Sequence, residues 1–342
     1  LQSGVEAEYY TGNDNDPQAP DARIGAAVAR SLGVPHELRL QPHADKDYGE
    51  EFLIENWERL SKNAVRQSDG MTNTYSGVAA LPAFRGRKTA FPLHLYGSGG
   101  EIARGYLTKE RYYTSLHTRD SVQRHLLTVR FAKQYARPEA MDLVKGHLHQ
   151  FVDEALAEGF RVIDLPTLFD TYEMVRRWAA AAFMLRMSRL VVYAPLCEGD
   201  FIKATFSISA LDRYSEHLHY ELIKQLRADL HALPYEKPWL SRSSARNLAT
   251  FWIQRITGRG TKRLHSDNRV VRGQHRSEVL EAKRLYIKAL CLDQKSSPLW
   301  DLIDREKFAQ VMADEASPAE RQRDYEHISR IYTLFQYAAL QE

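Results

Sequence analysis

Phe91-Pro-Leu-His-Leu-Tyr-Gly-Ser-Gly-Gly-Glu-Ile-Ala-Arg-Gly-Tyr106 is the stretch on which the reading of this chain turns. An apolar run ends at Tyr96, three glycines fall within the next four residues, and a carboxylate, Glu101, stands at the exit. A strand that ends in a glycine loop and then turns into a helix leaves backbone N–H groups free and unshielded. With the helix dipole behind them, such donors suit an anion such as phosphate. Without side chains at Gly97, Gly99 and Gly100, a ligand can touch the backbone itself. The same spacing also serves a tight turn after a buried strand, because short glycine patterns recur by chance.

Upstream of that loop, strand and helix signals alternate. Val5 to Tyr10 predicts a strand ending at Thr11-Gly12, followed by a polar loop over Asn13 to Pro20. Asp21 stands where an N-cap belongs, and Ile24, Ala27, Val28 and Leu32 form a helical apolar stripe that Gly33 closes as a C′ glycine. Val34 to Leu40 predicts the next strand, Phe52, Ile54, Trp57 and Leu60 a longer helix, and Phe91 to Tyr96 a further strand. Strands and helices joined by short connections predict an α/β fold, a Rossmann-like parallel sheet with helices on its faces. Ligands of such sheets bind beyond the carboxyl ends of the strands. Thr11-Gly12 and Gly97–Glu101 would both lie on that edge.

After Tyr106 the pattern becomes mostly helical, with glycine-poor stretches such as Met141–Leu156. Leu168–Met187 is a second. The expected organisation is an incomplete nucleotide-binding α/β domain over residues 1–110 and a helical, substrate-side domain over 111–342. Between Arg242 and Arg276, nine basic residues face one acid, Asp267. With Phe251 and Trp252 interleaved, that segment could grip nucleic acid through phosphates and stacking. A solvated helix or loop face accounts for it equally simply.

Composition sets outer bounds. The 342 residues are 44% hydrophobic and 27% charged, the make-up of an ordinary globular protein. A net charge of +3, from 47 basic and 44 acidic residues, gives no reason by itself to expect a nucleic-acid partner. Cys197 and Cys291 are the only cysteines, too few for a disulfide framework, so the chain fits a reducing cytoplasm. No apolar run is long enough to span a bilayer and no signal-like start is visible. The sequence opens at Leu1 inside what reads as structured chain, so further residues are expected upstream.

Other candidates have ordinary explanations. His147/His149 and His217/His219 are spaced two apart, and on a helix such residues face different directions. Cys197 reads as a buried thiol, Arg104 as a surface cation, and Lys237 and Lys262 as solvated lysines that could meet a phosphate.

Two segments together resemble the synthetase domain of the asparagine synthetase family, which belongs to the ATP-pyrophosphatase fold group. The first, Asp21-Ala-Arg-Ile-Gly-Ala-Ala-Val-Ala-Arg-Ser-Leu-Gly-Val-Pro-His36, resembles a helix of the form D-x-x-x-A-x-x-V-A-x-x-L-G-x-x-H, with Gly25 in place of the first Ala. The second is the glycine loop, which resembles G-x-G-x-D-E-x-x-G-G-Y. A third segment, Pro195-Leu-Cys-Glu-Gly-Asp-Phe201, is similar to P-F-L-D-x-x-F. They occur in the family's order, within residues 5–106 and 170–240.

The resemblance implies an enzyme that uses ATP and Mg²⁺ to activate a carboxylate as an acyl-adenylate, which ammonia or another amine then attacks. It implies that Thr11, Gly12, Tyr96 and Gly97 flank the adenine and ribose. Ser98, Gly99 and Gly100 would continue the nucleotide-binding loop, and Glu101 would stand at the position of a metal- and pyrophosphate-binding Asp. The family's phosphate loop, S-G-G-x-D-S, has no counterpart here, so the resemblance implies an upstream unit that carries it. The glycine loop is one residue short, and Ser98 occupies a carboxylate position. Val191 and Tyr193 replace a Glu and an Arg of the family pattern. No cysteine-nucleophile glutaminase domain is present, which puts any ammonia source upstream or elsewhere. Two other readings stay open: a synthetase-like protein that keeps the fold without the chemistry, and a basic nucleic-acid-binding helical module.

Overall fold

The computed structural model describes residues 7–13, 18–40, 49–71, 73–74, 93–104, 118–130, 134–180, 191–214, 216–233 and 278–341. These residues are mostly helical, with two small parallel sheets of two strands each. Contacts divide the chain into two units that interleave along the sequence. The first gathers Leu1–His43, Lys88–Glu110 and Arg189–Arg263, and the second Ala44–Arg87, Arg111–Ser188 and Leu264–Glu342.

In the first unit, strand β1 (Tyr9–Asn13) and strand β2 (His36–Leu40) pair in parallel, with Tyr9 opposite His36 and Asn13 opposite Leu40. The helix Pro20–Leu32 connects them, as a parallel pair requires. That helix starts earlier than expected. Ala19 holds the cap position without a side-chain bond, and Pro20 fills the first turn, where its missing N–H costs nothing. Asp21, expected as the cap, is instead a first-turn acid. Gly33 closes the helix at φ 66°, its N–H meeting the carbonyls of Ala29 and Arg30. Thr11 and Gly12, expected just past the strand, lie within β1, opposite Leu38 and Arg39. The ladder to β2 holds them extended, overriding the weak strand preference of glycine.

Strands β3 (Leu93–Leu95) and β4 (Val191–Tyr193) form the second parallel pair, with Leu93 opposite Val191 and Leu95 opposite Tyr193. Phe91 and Pro92 of the expected strand lie outside the described residues. Among the described residues no ladder joins β1 to β3, so the single larger sheet expected from the sequence is not seen. A hydrogen bond between the Tyr10 hydroxyl and His94 Nε2, 2.7 Å long, links the two strands instead.

The second unit is helical and holds the main core. The helix Gly49–Ser68 buries Leu53, Trp57, Leu60 and Ala64 at spacings of three and four, one face of a helix. These pack with Ile328, Tyr332 and Phe335 of the helix Pro318–Ala338, with Ile287 and Cys291 of Arg284–Leu292, and with Trp300 and Phe308. Polar bonds fix the same contact: the Ser61 and Tyr332 hydroxyls lie 2.9 Å apart, and Thr74 N–H donates to Thr333 Oγ1 at 2.9 Å. The expected helix at Met141–Leu156 is present as Pro138–Ala157. The one expected from Leu168 begins in Leu165–Phe169 and continues with π geometry over Asp170–Ala179. Among the described residues no helix is long and apolar enough to cross a membrane. The basic segment Arg242–Arg276, with Lys237 and Lys262, lies outside the described residues.

Candidate functional site

The glycine loop leaves β3 at its carboxyl end. Tyr96 extends the pairing by donating its N–H to the Tyr193 carbonyl at 2.8 Å, and the chain then turns through Gly97 and Ser98. Because β3 and β4 are parallel, β4 emerges on the same edge, into the 3₁₀ turn Pro195–Cys197 and the helix Gly199–Ser207. Two of the sequence motifs, remote along the chain, therefore converge beyond one strand edge.

Their contact explains two of the glycines. Gly99 has φ +96°, a conformation that a side chain strains. A Cβ there would meet the Leu196 carbonyl oxygen and come within 2.7 Å of Cys197 Sγ. A Cβ on Gly100 would lie 3.1 Å from Leu196 and 3.3 Å from His219 Nε2. Both glycines are buried, so their bare backbone receives protein rather than an approaching ligand. The Cys197 thiol completes the seal with a 3.4 Å bond to the Ser98 carbonyl. Gly97 is different: it is exposed, and among the described residues no atom lies within 4 Å of where its Cβ would be. The accessible part of the loop is Gly97, with Tyr96 and Ser98 half-buried beside it.

The helix expected after the loop is, among the described residues, a five-residue 3₁₀ turn, Gly100–Arg104. Ile102 closes it on the Gly99 carbonyl at 3.0 Å, and the buried Ile102 and Ala103 anchor it. So short a turn offers little dipole to an anion. Glu101 projects from it, exposed, and Arg104 forms an ion pair with Glu216 at 3.1 Å.

His219, which the sequence offered only as half of a poorly spaced histidine pair, enters this site from the helix His217–Leu226. Burial lowers its proton affinity, Glu216 opposes that, Arg104 adds to it and Glu101 opposes it. The ring meets Phe201 edge-on at 6.3 Å, and its Nδ1 has no hydrogen-bond partner. Burial, Glu101 and Glu198 together raise the Cys197 thiol above its ordinary value. A thiol so raised is held protonated and is a poor nucleophile. Glu101, Cys197 and His219 thus share one electrostatic neighbourhood.

Thr11 and Gly12 sit elsewhere in the unit. The Thr11 hydroxyl and His36 Nε2 are 3.0 Å apart, and a Cβ on Gly25 would collide with that hydroxyl. Position 25 therefore has no room for a side chain unless Thr11 moves. His94 is a second unforeseen residue: besides bonding Tyr10, it packs edge-on against Tyr96 at 5.9 Å. Its alternation within a three-residue strand gives no sequence signal.

Among the described residues no group of three His, Cys, Asp or Glu side chains could hold a metal by itself. His147 lies 3.9 Å from Glu173 on an exposed surface. A Mg²⁺ ion that shares phosphate oxygens asks less of the protein, one or two carboxylates and water. Glu101 is an exposed carboxylate, and Gly97 beside it leaves its backbone open. Comparison with family models, with curated proteins and with solved structures returned no match for this chain.

Proposed function

We propose that this chain belongs to a cytoplasmic, ATP-dependent amide-forming ligase resembling asparagine synthetase. The observation that carries the proposal is the meeting of the loop Tyr96–Glu101 with Pro195–Phe201 beyond the carboxyl ends of β3 and β4. That edge is where α/β proteins bind nucleotides. On this reading β1–β2 and β3–β4 belong to one Rossmann-like sheet of the ATP-pyrophosphatase type. The Tyr10–His94 bond supports their proximity.

In the proposed reaction a carboxylate oxygen displaces pyrophosphate from ATP, and ammonia or an amine then displaces AMP from the acyl carbon. Bound Mg²⁺ would supply charge neutralisation between the two anions. The chain's own part is orientation and electrostatics. Gly97 and Ser98 offer backbone to the nucleotide, with Gly99 and Gly100 holding the loop closed against Leu196. Glu101 offers the carboxylate for the metal and pyrophosphate. The neutral His219 adds no charge to that of Glu101. The reading needs an S-G-G-x-D-S phosphate loop, which these 342 residues do not contain, and a source of ammonia.

The test is pyrophosphate release by the full-length protein, given ATP, Mg²⁺ and a panel of amino acids. Release that depends on one carboxylate, and that falls at least about a hundredfold in Glu101→Ala, supports the ligase. No release above background removes it. The burial of Gly99 and Gly100, with Ser98 in place of a carboxylate, favours a second reading, a synthetase-like protein without chemistry. ATP binding without turnover, unchanged by Glu101→Ala, would select it.

A further inference from the structure

The second unit contains a cleft of about 640 Å³, unrelated to the glycine loop. That volume suits a small organic ligand. Its walls are fixed by the fold. On one side, Tyr135 accepts the N–H of Asp304 at 2.8 Å and Arg137 donates its own to Leu302 at 3.0 Å, pinning this segment antiparallel to 302–304. On the other, the turn before the helix Pro318–Ala338 is tied down by Arg321, which is buried. Its guanidinium donates to the carbonyls of Ala316 (2.7 Å) and Ala313 (3.2 Å) and grips Glu281 with two bonds of 2.6 and 2.7 Å. The helix Arg305–Val311 closes the third side. None of these anchors needs a ligand.

The chemistry of the walls is uneven. Asp324 accepts one hydrogen bond on each oxygen, from Gln134 Nε2 at 2.6 Å and from the Tyr135 hydroxyl at 2.8 Å. Both donors are neutral. Glu315 brings a second carboxylate to the lining. Among the described residues neither Asp324 nor Glu315 is ion-paired. Lys307, the cation of the lining, is bound to Asp304 at 3.1 Å. Burial, helped by Arg330, lowers the proton affinity of His327, whose ring lies 6.0 Å from that of Tyr135, so it supplies no charge near neutral pH. Among the described residues, Asp324 and Glu315 thus line the cleft with one cation, Lys307, which is already paired, and Val311 and Ala316 add apolar surface to the lining.

We propose that this cleft binds a small organic cation, an alkyl primary ammonium. Its charge sits between Asp324 and Glu315 and its alkyl stem lies on Val311 and Ala316. The absence of a third metal-ligating side chain among the described residues favours an organic cation over a metal ion. The inference is independent of the ligase reading. Two sources share this chemistry, the polyamines and the basic amino acids, and they differ in a carboxylate that Lys307 could meet.

The experiment is titration calorimetry on the 342-residue chain with cadaverine, lysine and the uncharged isostere 1,5-pentanediol. Expected is binding of one or both amines, with pentanediol weaker by at least about tenfold. Glu315→Gln, on the turn, and Asp324→Asn, which keeps an acceptor for Tyr135, should each weaken the amine by about tenfold. Circular dichroism on each variant checks that it is folded. Lysine binding tighter than cadaverine, with the advantage lost in Lys307→Met, assigns the amino-acid class, and equal or weaker binding assigns the polyamines. Pentanediol binding as well as cadaverine overturns the proposal. So does unchanged affinity in a folded Glu315→Gln, Asp324→Asn double variant, or no binding of either amine at millimolar concentration.

Discussion

Gly99 is where a single methyl group should matter most in the loop. Its φ of +96° and the Leu196 carbonyl and Cys197 sulfur packed against it leave no place for a Cβ. Gly99→Ala should cost about 1–3 kcal/mol of stability, while Gly97→Ala, whose Cβ enters open space, should cost less than about 0.5 kcal/mol. Urea denaturation of both variants checks the contrast, and equal midpoints would contradict it. His219 yields a second expectation. Burial, with Arg104, holds its proton affinity below the ordinary value of 6.5 in the folded chain, despite Glu216 and Glu101. The unfolded chain takes up the proton first, so stability is full above about pH 6.5, falls as the pH drops below it, and levels off under the folded-state value. Urea midpoints measured from pH 7.5 to 5.0 should fall, less so in His219→Asn; an identical slope in the variant would show that other groups dominate. The loop itself was legible as a turn at a strand end. What covers it was not, because Leu196, Cys197 and His219 arrive from far along the chain, and no local pattern reports a distant neighbour.

At the scale of elements, Arg321 shows how one side chain holds two helices and a turn. It is 4% exposed, on the helix Pro318–Ala338, and reaches Glu281 next to the helix Arg284–Leu292. Removing the guanidinium strands the Ala313 and Ala316 carbonyls and leaves Glu281 only its longer pair with Arg284, at 3.5 Å. Arg321→Ala should therefore cost about 2–3 kcal/mol. Arg321→Lys, which keeps the charge but not the planar fork, should recover only part of it. Thermal unfolding of the two variants tests this, and a drop no larger in Ala than in Lys would show that the fork is unimportant. Periodicity did reveal the helices Gly49–Ser68 and Pro138–Ala157, where apolar residues recur every three or four positions. It could not reveal the π geometry of Asp170–Ala179, since i→i+5 bonding leaves the composition unchanged. Nor could it fix β1, which runs through Gly12 because β2 supplies hydrogen bonds that turn propensity does not anticipate.

Among the described residues the apolar core is unequally shared between the two units, and the sequence could not have shown it. Amphipathic spacing in Phe52–Leu60 says that a face is buried but not against what, so the helix Gly49–Ser68, expected beside the strands, packs instead in the core of the second unit. Among the described residues, the first unit fully hides only Ala22, Ala29, Ile102, Ala103 and Ala210 as apolar side chains, four of them alanines. Leu93, Leu95, Val191 and Tyr193, which share one face of the β3–β4 pair, are 43–64% exposed. Parallel sheets are ordinarily covered on both faces. The second unit, by contrast, buries Trp57, Tyr332, Phe308 and Phe335 in one continuous cluster. Burial of a large side chain contributes about 1.5–3 kcal/mol, so the difference in core composition should separate the local stabilities of the two units. Hydrogen exchange read by mass spectrometry should find the slowest amides in Gly49–Ser68 and Pro318–Ala338. Those of β3, β4 and Gly100–Arg104 should open with a free energy lower by about 2 kcal/mol or more. A Leu95→Lys, Val191→Lys double variant should leave that pattern intact, since both side chains already face solvent. Equal protection across the two units, or a collapse of the first unit in the double variant, would mean that in solution this face is covered and the first unit has a larger core than its five buried apolar residues provide.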